Sequence, residues 1–374
     1  MKVEFYKHNI DEMDIKEVVD TLHSAFLSTG PKTRLFEEKF ARYLGVSHVV
    51  GVTSCTAGIF LALKAIELGP GDEVITSPMT FIATPNAILH AGGKPVFVDV
   101  EKKTGNINVE LIEQAITART RAIIPVHLYG QMCDMVTIRK IADKYHLKVI
   151  EDCAHCVEGV RDQIRPGQLS DAAVFSFYAT KNLASGEGGA VAVHDPEVAD
   201  RLKVLRLHGM NKSASDRYTS KYQHWDMLEL GYKYNMFDLQ AAILIHQLDR
   251  LNEYRNRREE ICKQYEEAFR NVPGLSYPVV LPHSISARHL FTIWVSPLKR
   301  DCILASLQEM GVGVAVNFRA VHFLKYYRDI FDYQAGSFPE AECIGDSTIS
   351  IPLYCRLANE EISHVVRSII HAVQ

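Results

Sequence analysis

The 374-residue chain carries neither of the glycine signatures most often found in nucleotide-binding α/β proteins. No G-x-G-x-x-G and no G-x-x-x-x-G-K-[ST] occurs in it, which argues against a nicotinamide oxidoreductase of the dinucleotide-fingerprint type and against a P-loop NTPase. No apolar run approaches the roughly 20 residues that a membrane span needs. The opening "MKVEFYKHNIDEMDIKEVVD" has no apolar core of signal-peptide length, so the expected compartment is the cytoplasm and no membrane partner is expected. An excess of basic charge is also missing: 41 Lys and Arg stand against 45 Asp and Glu, a formal charge of −4, and nothing electrostatic calls for nucleic acid. The eight cysteines fall mostly inside apolar segments and read as reduced core residues, not a disulfide framework. Cys153 and Cys156 in "EDCAHC" have the C-x-x-C spacing, but no second ligand pair accompanies them, so no metal is expected.

The apolar content of 47% and charged content of 23% are those of a globular protein, and the length suggests two domains. From about residue 47 to 195, short β-rich runs alternate with helical patterns. The strand-like runs are "HVVGVT", "DEVITS", "PVFVDV", "RAIIPVHLYG", "KVIED", "AAVFSFY" and "AVAVHD". Between them, "TAGIFLALKAIEL", the stretch around Pro85 to His90 and "MVTIRKIADKYH" have helical spacing. Such alternation predicts an α/β domain around a mainly parallel sheet, with several strands apolar throughout because both faces are covered. The sequence then predicts one long amphipathic helix over "DLQAAILIHQLDRLNEYRNRREEICKQYEEAFRNV". Beyond it come a strand at "HLFTIWV", a helix at "RDCILASLQEM" and a strand at "GVAVNF". Residues 1–249 are thus expected to form a large α/β domain and 250–374 a smaller α+β domain. The polar stretch "NKSASDRYTSKYQHWD", which opens with an Asn-Lys-Ser sequon, reads as a surface loop.

Three local features carry chemistry. "TSCTAG" sets small and hydroxyl residues at a helix start, where free N–H groups and the helix dipole favour an anion such as a phosphate; taken alone, the stretch reads first as Thr53 and Thr56 capping the helix. Asp152 ends the apolar strand "KVIED", at the sheet edge where α/β proteins bind ligands. Lys181 follows the strand "FSFY" and precedes a glycine-rich stretch. Together, a phosphate anchor, a strand-end carboxylate and a lysine suit pyridoxal 5′-phosphate: the lysine forms a Schiff base with the aldehyde, and the aspartate keeps the pyridine nitrogen protonated. Phe81 supplies an aromatic ring after another strand.

Seven co-linear motifs then resemble one family. "TGPKTRLFEEKFARYLG", "TSCTAGIFLAL", "GDEVITSPMTFIATPNAI", "PVHLYGQ", "VIEDCAH", "FSFYATKNLASGEGGAV" and "GYKYNMFDLQAAI" are similar to the DegT/DnrJ/EryC1/StrS sugar-nucleotide aminotransferases, from about Thr29 to the C-terminus. The resemblance implies the aspartate-aminotransferase fold (type I), with a large α/β domain on a mainly parallel seven-stranded sheet and a smaller α+β C-terminal domain. It also implies a homodimer with active sites at the subunit interface. It makes Lys181 the Schiff-base lysine and proton carrier, Asp152 the pyridinium partner and His155 the neighbour of the ring hydroxyl. Ser176, Thr56 and Ala57 would hold the phosphate, Phe81 would stack on the ring, and Asn235 would reach the phosphate in the neighbouring subunit. L-glutamate is the implied amino donor and a nucleotide-linked keto sugar the acceptor. Family members that are sugar 3-dehydratases carry histidine in place of the lysine, so Lys181 implies transamination. "NFRAVHFLKYYRDIF" and "ARHLFTIWV" resemble the branch that aminates UDP-linked 4-keto-pentoses, leading to 4-amino-4-deoxy-L-arabinose. A UDP-4-keto-6-deoxyhexosamine, or the 3-keto position of a dTDP sugar, is the alternative acceptor, and a non-catalytic regulatory protein that binds the cofactor is the alternative class. Arg319, His322 and Lys325 are candidates for the nucleotide phosphates or, equally, surface residues of the small domain.

Overall fold

The computed structural model describes residues 1–212 and 224–374. Most of the polar stretch that begins at Asn211 therefore lies outside the described residues.

The strands are β1 (His48–Val52), β2 (Glu73–Thr76), β3 (Lys94–Phe97), β4 (Thr120–Ile124), β5 (Lys148–Asp152), β6 (Val160–Arg161), β7 (Ala172–Ser176), β8 (Gly189–Val193), β9 (Ser284–Ile285), β10 (Phe291–Trp294) and β11 (Thr348–Ile351). Seven of them form one sheet in the order β1-β8-β7-β5-β4-β2-β3. Only β8 runs against its neighbours, antiparallel to both β1 and β7. The alternation of apolar strands and helices in the sequence is thus a mainly parallel sheet covered on both faces. Along β7, Val174 packs into one core with Val191, Ile124 and Val50, while Phe175 packs into the other with Phe36, Phe40 and Ala190. Such a strand has no solvent face, hence no polar alternation.

The helix Cys55–Ala65 lies across the sheet so closely that a Cβ on Gly58 would sit 2.5 Å from Val174 Cγ1. Behind β5, His127 Nε2 is 2.6 Å from Glu151 Oε2, and Glu151 Oε1 accepts from Ser170 Oγ and the Gly167 N–H. His127 Nδ1 accepts from the Cys133 N–H, so these buried polar groups are satisfied within the core and pin the strand that carries Asp152.

The expected long helix is two, Asp238–Ile245 and Gln247–Phe269. The side chain of Gln247 explains the break: its amide donates to Ile243 O, the carbonyl its own backbone N–H would use, and to Ala184 O. The second helix begins in the large-domain core at Leu248 and Leu251 and ends in the small-domain core at Ile261, Tyr265 and Phe269. A boundary at residue 249 therefore falls within a shared element. The first residues also cross over, because Val3 packs into the small-domain core.

"GVAVNF" forms no strand of its own. Its Gly313 N–H donates to the Val3 carbonyl and its Ala315 bridges Ser350, so the segment divides its pairing between two partners and never builds a ladder with either. The small domain's sheet is β10 paired antiparallel with β11. Its core is completed by the helices Arg300–Glu309 and Asn359–Val373.

Candidate active site

Because β1, β2, β4, β5 and β7 run the same way, their carboxyl ends share one edge, and the sequence's three chemical features meet there. They line a cavity of about 530 Å³ with residues from the small domain, among them His289, Asn317 and Phe318.

After β1, the cap of the helix Cys55–Ala65 is Ser54, whose Oγ accepts from the Ala57 N–H at 3.1 Å; the expected caps Thr53 and Thr56 do not fill that role. Ser54 is extended at the cap, which sets Thr56 in the first turn, exposed on the cavity wall. The first-turn N–H groups of Cys55 and Thr56 have no partner within the helix and suit an anion. Gly189 lets this turn approach β8: a Cβ there would stand 2.5 Å from Ser54 C and 2.6 Å from Cys55 N. Ala57 is buried behind the wall, and Ser176 faces the cavity from the end of β7.

Asp152 is 5% exposed at the end of β5. Its Oδ2 accepts from Thr84 Oγ1 at 2.6 Å and its Oδ1 from the Ala154 N–H at 3.0 Å, two donors that fix its orientation. Lys181, partly buried, has its amine pushed down from 10.5 to about 8 by burial, against the opposing pull of Cys55 and Asp152. On the order of a tenth of that amine is then neutral at pH 7, far more than of an ordinary lysine, and so nucleophilic.

His155 is buried beneath Phe318, with ring centroids 5.7 Å apart. Its Nδ1 accepts from the Tyr129 N–H at 3.2 Å, which leaves the proton on Nε2 as a hydrogen-bond donor. Burial, and then the Lys181 charge, holds this imidazole well below its usual value, hence neutral. Phe81 stands 56% exposed at the cavity mouth, its ring 5.7 Å from that of Phe318.

These groups form a coherent seat for pyridoxal phosphate. The site offers N–H and hydroxyl donors at one end, a doubly supported carboxylate, a neutral imidazole donor and an exposed ring, with a lysine of lowered basicity among them.

The sequence profile of the DegT/DnrJ/EryC1/StrS aminotransferase family matches residues 8–370. The chain belongs to this family. It is 45% identical over 366 residues, 96% of this chain and 94% of the relative, to the spore coat polysaccharide biosynthesis protein SpsC of Bacillus subtilis (strain 168). The fold superposes on the PLP form of the putative sugar aminotransferase Spr1654 from Streptococcus pneumoniae with a TM-score of 0.93, at 29% identity, covering 100% of this chain and 99% of that one. It also matches PseC of Helicobacter pylori, an aminotransferase involved in the biosynthesis of pseudoaminic acid, with a TM-score of 0.92 at 27% identity, covering 100% and 99%. As a DegT/DnrJ/EryC1/StrS aminotransferase, the chain has the PLP-dependent type I fold and is a PLP-dependent sugar aminotransferase.

Not every candidate residue reaches the cavity of this family member. Asn235 opens onto a separate cleft of about 730 Å³, shared with Thr29, Arg34, His48 and Lys203. Arg319, His322 and Lys325, the candidates for nucleotide phosphates, are not among the cavity-lining residues. His322 is fully buried, with Nε2 3.1 Å from Glu342 Oε1; the exposed Lys325 pairs with Asp329, one turn along its helix; and Arg319 lies over the Phe323 ring. Aromatic packing in "HFLKYY" explains the pattern better than anion binding does. Conversely, sequence reasoning passed over Ser54, Thr84 and His289. Thr84 and His289 stood inside quoted motifs, "TFIAT" and "ARHLF", but only the fold shows what they touch.

Proposed function

We propose that this aminotransferase moves an amino group from L-glutamate to the keto carbon of a nucleotide-linked sugar, the 4-keto position of a UDP sugar. The observation that carries it is the pairing of Lys181 and Asp152 in one cavity of a chain whose relatives serve polysaccharide and pseudoaminic acid synthesis. Lys181 also separates transamination from the dehydratase chemistry of the wider family.

Pyridoxal phosphate supplies an aldehyde that takes up the amino group and a ring that withdraws electrons from the carbon losing its proton. Lys181 would hold the cofactor through its aldehyde, and its free amine would be the base that takes the proton from the amino donor's α-carbon and gives it back. Asp152 holds the pyridine nitrogen in its protonated form, its carboxylate kept in place by Thr84 and the Ala154 N–H. His155 donates from Nε2 to the ring hydroxyl oxygen. The free N–H groups of Cys55 and Thr56, with Ser176, hold the phosphate, Ala57 being engaged by Ser54, and Phe81 covers one face of the ring. Asn235, on its separate cleft, serves the cofactor phosphate of a second copy, so the working unit is a homodimer.

The test is to incubate purified protein with pyridoxal phosphate, L-glutamate and, separately, a UDP-4-keto-pentose, a UDP-4-keto-6-deoxyhexosamine and a dTDP-3-keto sugar. An amino-sugar product by mass from a UDP-4-keto substrate, absent with Lys181→Ala, supports the reading. Amine transfer only to the dTDP-3-keto sugar overturns the position and the nucleotide. Transfer to none of the three, in protein that binds the cofactor, favours the regulatory alternative.

A further inference from the structure

His289 lies in the cavity wall beside Lys181, and nothing in the reaction above uses it. Its Nε2 is 3.4 Å from Lys181 Nζ, and its Nδ1 is 3.2 Å from Asn182 Oδ1. The direction of both contacts can be worked out. Asn182 Nδ2 donates to Glu158 Oε2 at 3.0 Å and to the Ala287 carbonyl at 2.9 Å. Both of those groups are acceptors, which fixes the amide with Oδ1 toward His289. His289 Nδ1 must then be the donor. A neutral imidazole has one N–H, so Nε2 presents a lone pair to Lys181.

The support behind this histidine is built from buried charge. Glu158, 3% exposed, accepts from Arg258 Nη2, and Arg258, 2% exposed, also donates to the Ala287 carbonyl. A buried pair is costly to form unless its remaining hydrogen-bonding groups are satisfied, and here they are satisfied by Asn182 and Ala287. The chain Arg258–Glu158–Asn182–His289 thus runs from the helix Gln247–Phe269 to the reactive amine, with each link's direction set by the one before it. Burial, and then the neighbouring Lys181, keeps the His289 imidazole well below its usual value and hence neutral. From the sheet side, Asp152, Cys55 and His155 face the same region, and the Tyr6 hydroxyl donates to the Lys181 carbonyl oxygen.

We propose that His289 is a positioning residue for Lys181: its Nε2 receives a hydrogen bond from Nζ and holds the free amine at the cavity wall, in an orientation set by Asn182, Glu158 and Arg258. This rests on the role given to Lys181 above, but the test reads the hydrogen bond in cofactor-free protein, so it fails or succeeds separately from amine transfer.

Two substitutions separate positioning from plain structure. Glutamine places its amide oxygen near where Nε2 stood and keeps an acceptor for Lys181. Asparagine keeps only the group facing Asn182. Cofactor-free wild type, His289→Gln and His289→Asn are trace-labelled with acetic anhydride at pH 7, and acetylation of Lys181 is read by mass spectrometry against the exposed Lys325. An ammonium gains more from an acceptor than a neutral amine does, so losing the acceptor favours the reactive neutral form. The expected result is Lys181 labelling roughly fivefold faster in His289→Asn and near the wild-type rate in His289→Gln. Equal labelling in all three proteins, or restoration by Asn and not by Gln, overturns the proposal. Nitrogen-15 NMR of histidine-labelled wild type needs no variant: a proton on Nδ1 of His289 is expected, and one on Nε2 overturns it.

Discussion

Thr84 Oγ1 donates to Asp152 Oδ2 across 2.6 Å, from the helix Ala83–Ala91 to the end of β5. That proton being spent, the 2.9 Å contact between Thr84 and Thr80 must be donated by Thr80. Two hydroxyls in series therefore steady the carboxylate assigned to the cofactor's nitrogen. Thr84→Val keeps the shape and removes the donor. A hydrogen bond to a charged group contributes about 1.5–3 kcal/mol, so the apo protein should lose about that much stability in urea titrations. A loss below about 0.5 kcal/mol would mean that water replaces the hydroxyl freely.

Lys181 should be a residue that costs stability in exchange for reactivity. Its folded value of about 8 lies below the unfolded 10.5, so below pH 8 the proton must be kept on an amine that burial disfavours. The cost is full below pH 8 and fades as pH rises towards 10.5, where the unfolded state also loses its proton. Discounted for partial exposure, it amounts to about 1–2 kcal/mol. Lys181→Met should accordingly abolish amine transfer and raise the apo protein's Tm at pH 7, with a smaller gain at pH 10. A lower Tm at pH 7 would show that the hydrogen bond to His289 outweighs desolvation.

Much of the large domain was legible in the sequence because its signals are local. "KVIED" is β5 residue for residue, and the apolar strands follow from a sheet covered on both faces. Lys181 and Asp152 were legible as chemistry because each ends or follows such a strand at the ligand-binding edge. What was not legible depends on contacts between distant residues. Gln247 interrupts a helix that its amphipathic pattern continues, through a bond to Ala184. "GVAVNF" has a strand's composition but has to share its pairing between Val3 and Ser350. His322 carries the same chemistry as His289, yet one is packed against Glu342 and the other faces Lys181. No spacing in the sequence distinguishes them.

His155 and His289 should give the apo protein an acid-sensitive core. Both are held neutral in the fold, well below the usual 6.5, so on acidification only the unfolded chain takes up their protons. Stability is then fully present above pH 6.5 and falls as pH drops below it. Replacing both with glutamine should flatten the loss of Tm between pH 7 and pH 5 compared with wild type. An unchanged slope would mean that other groups dominate acid unfolding.

Gly189 offers the sharpest test of where the phosphate end lies. The three atoms nearest a methyl group there are all backbone, Ser54 C at 2.5 Å, Cys55 N at 2.6 Å and Ser54 O at 2.7 Å, and none of them can rotate away as a side chain could. The first turn of the helix Cys55–Ala65 must move instead, and with it the N–H groups that favour an anion. Overpacking of this kind costs about 1–3 kcal/mol of stability. Gly189→Ala should also weaken binding of pyridoxal phosphate roughly tenfold or more, the factor that about 1.4 kcal/mol represents. Pyridoxal, which has no phosphate, should lose less, because it does not draw on the N–H groups of the displaced turn, whose one link to Asp152 is the 4.0 Å contact from Cys55 Sγ. Isothermal titration of both ligands against both proteins reads the difference directly. Equal weakening of the two would place the phosphate away from this helix and return Ser54 to a plain cap.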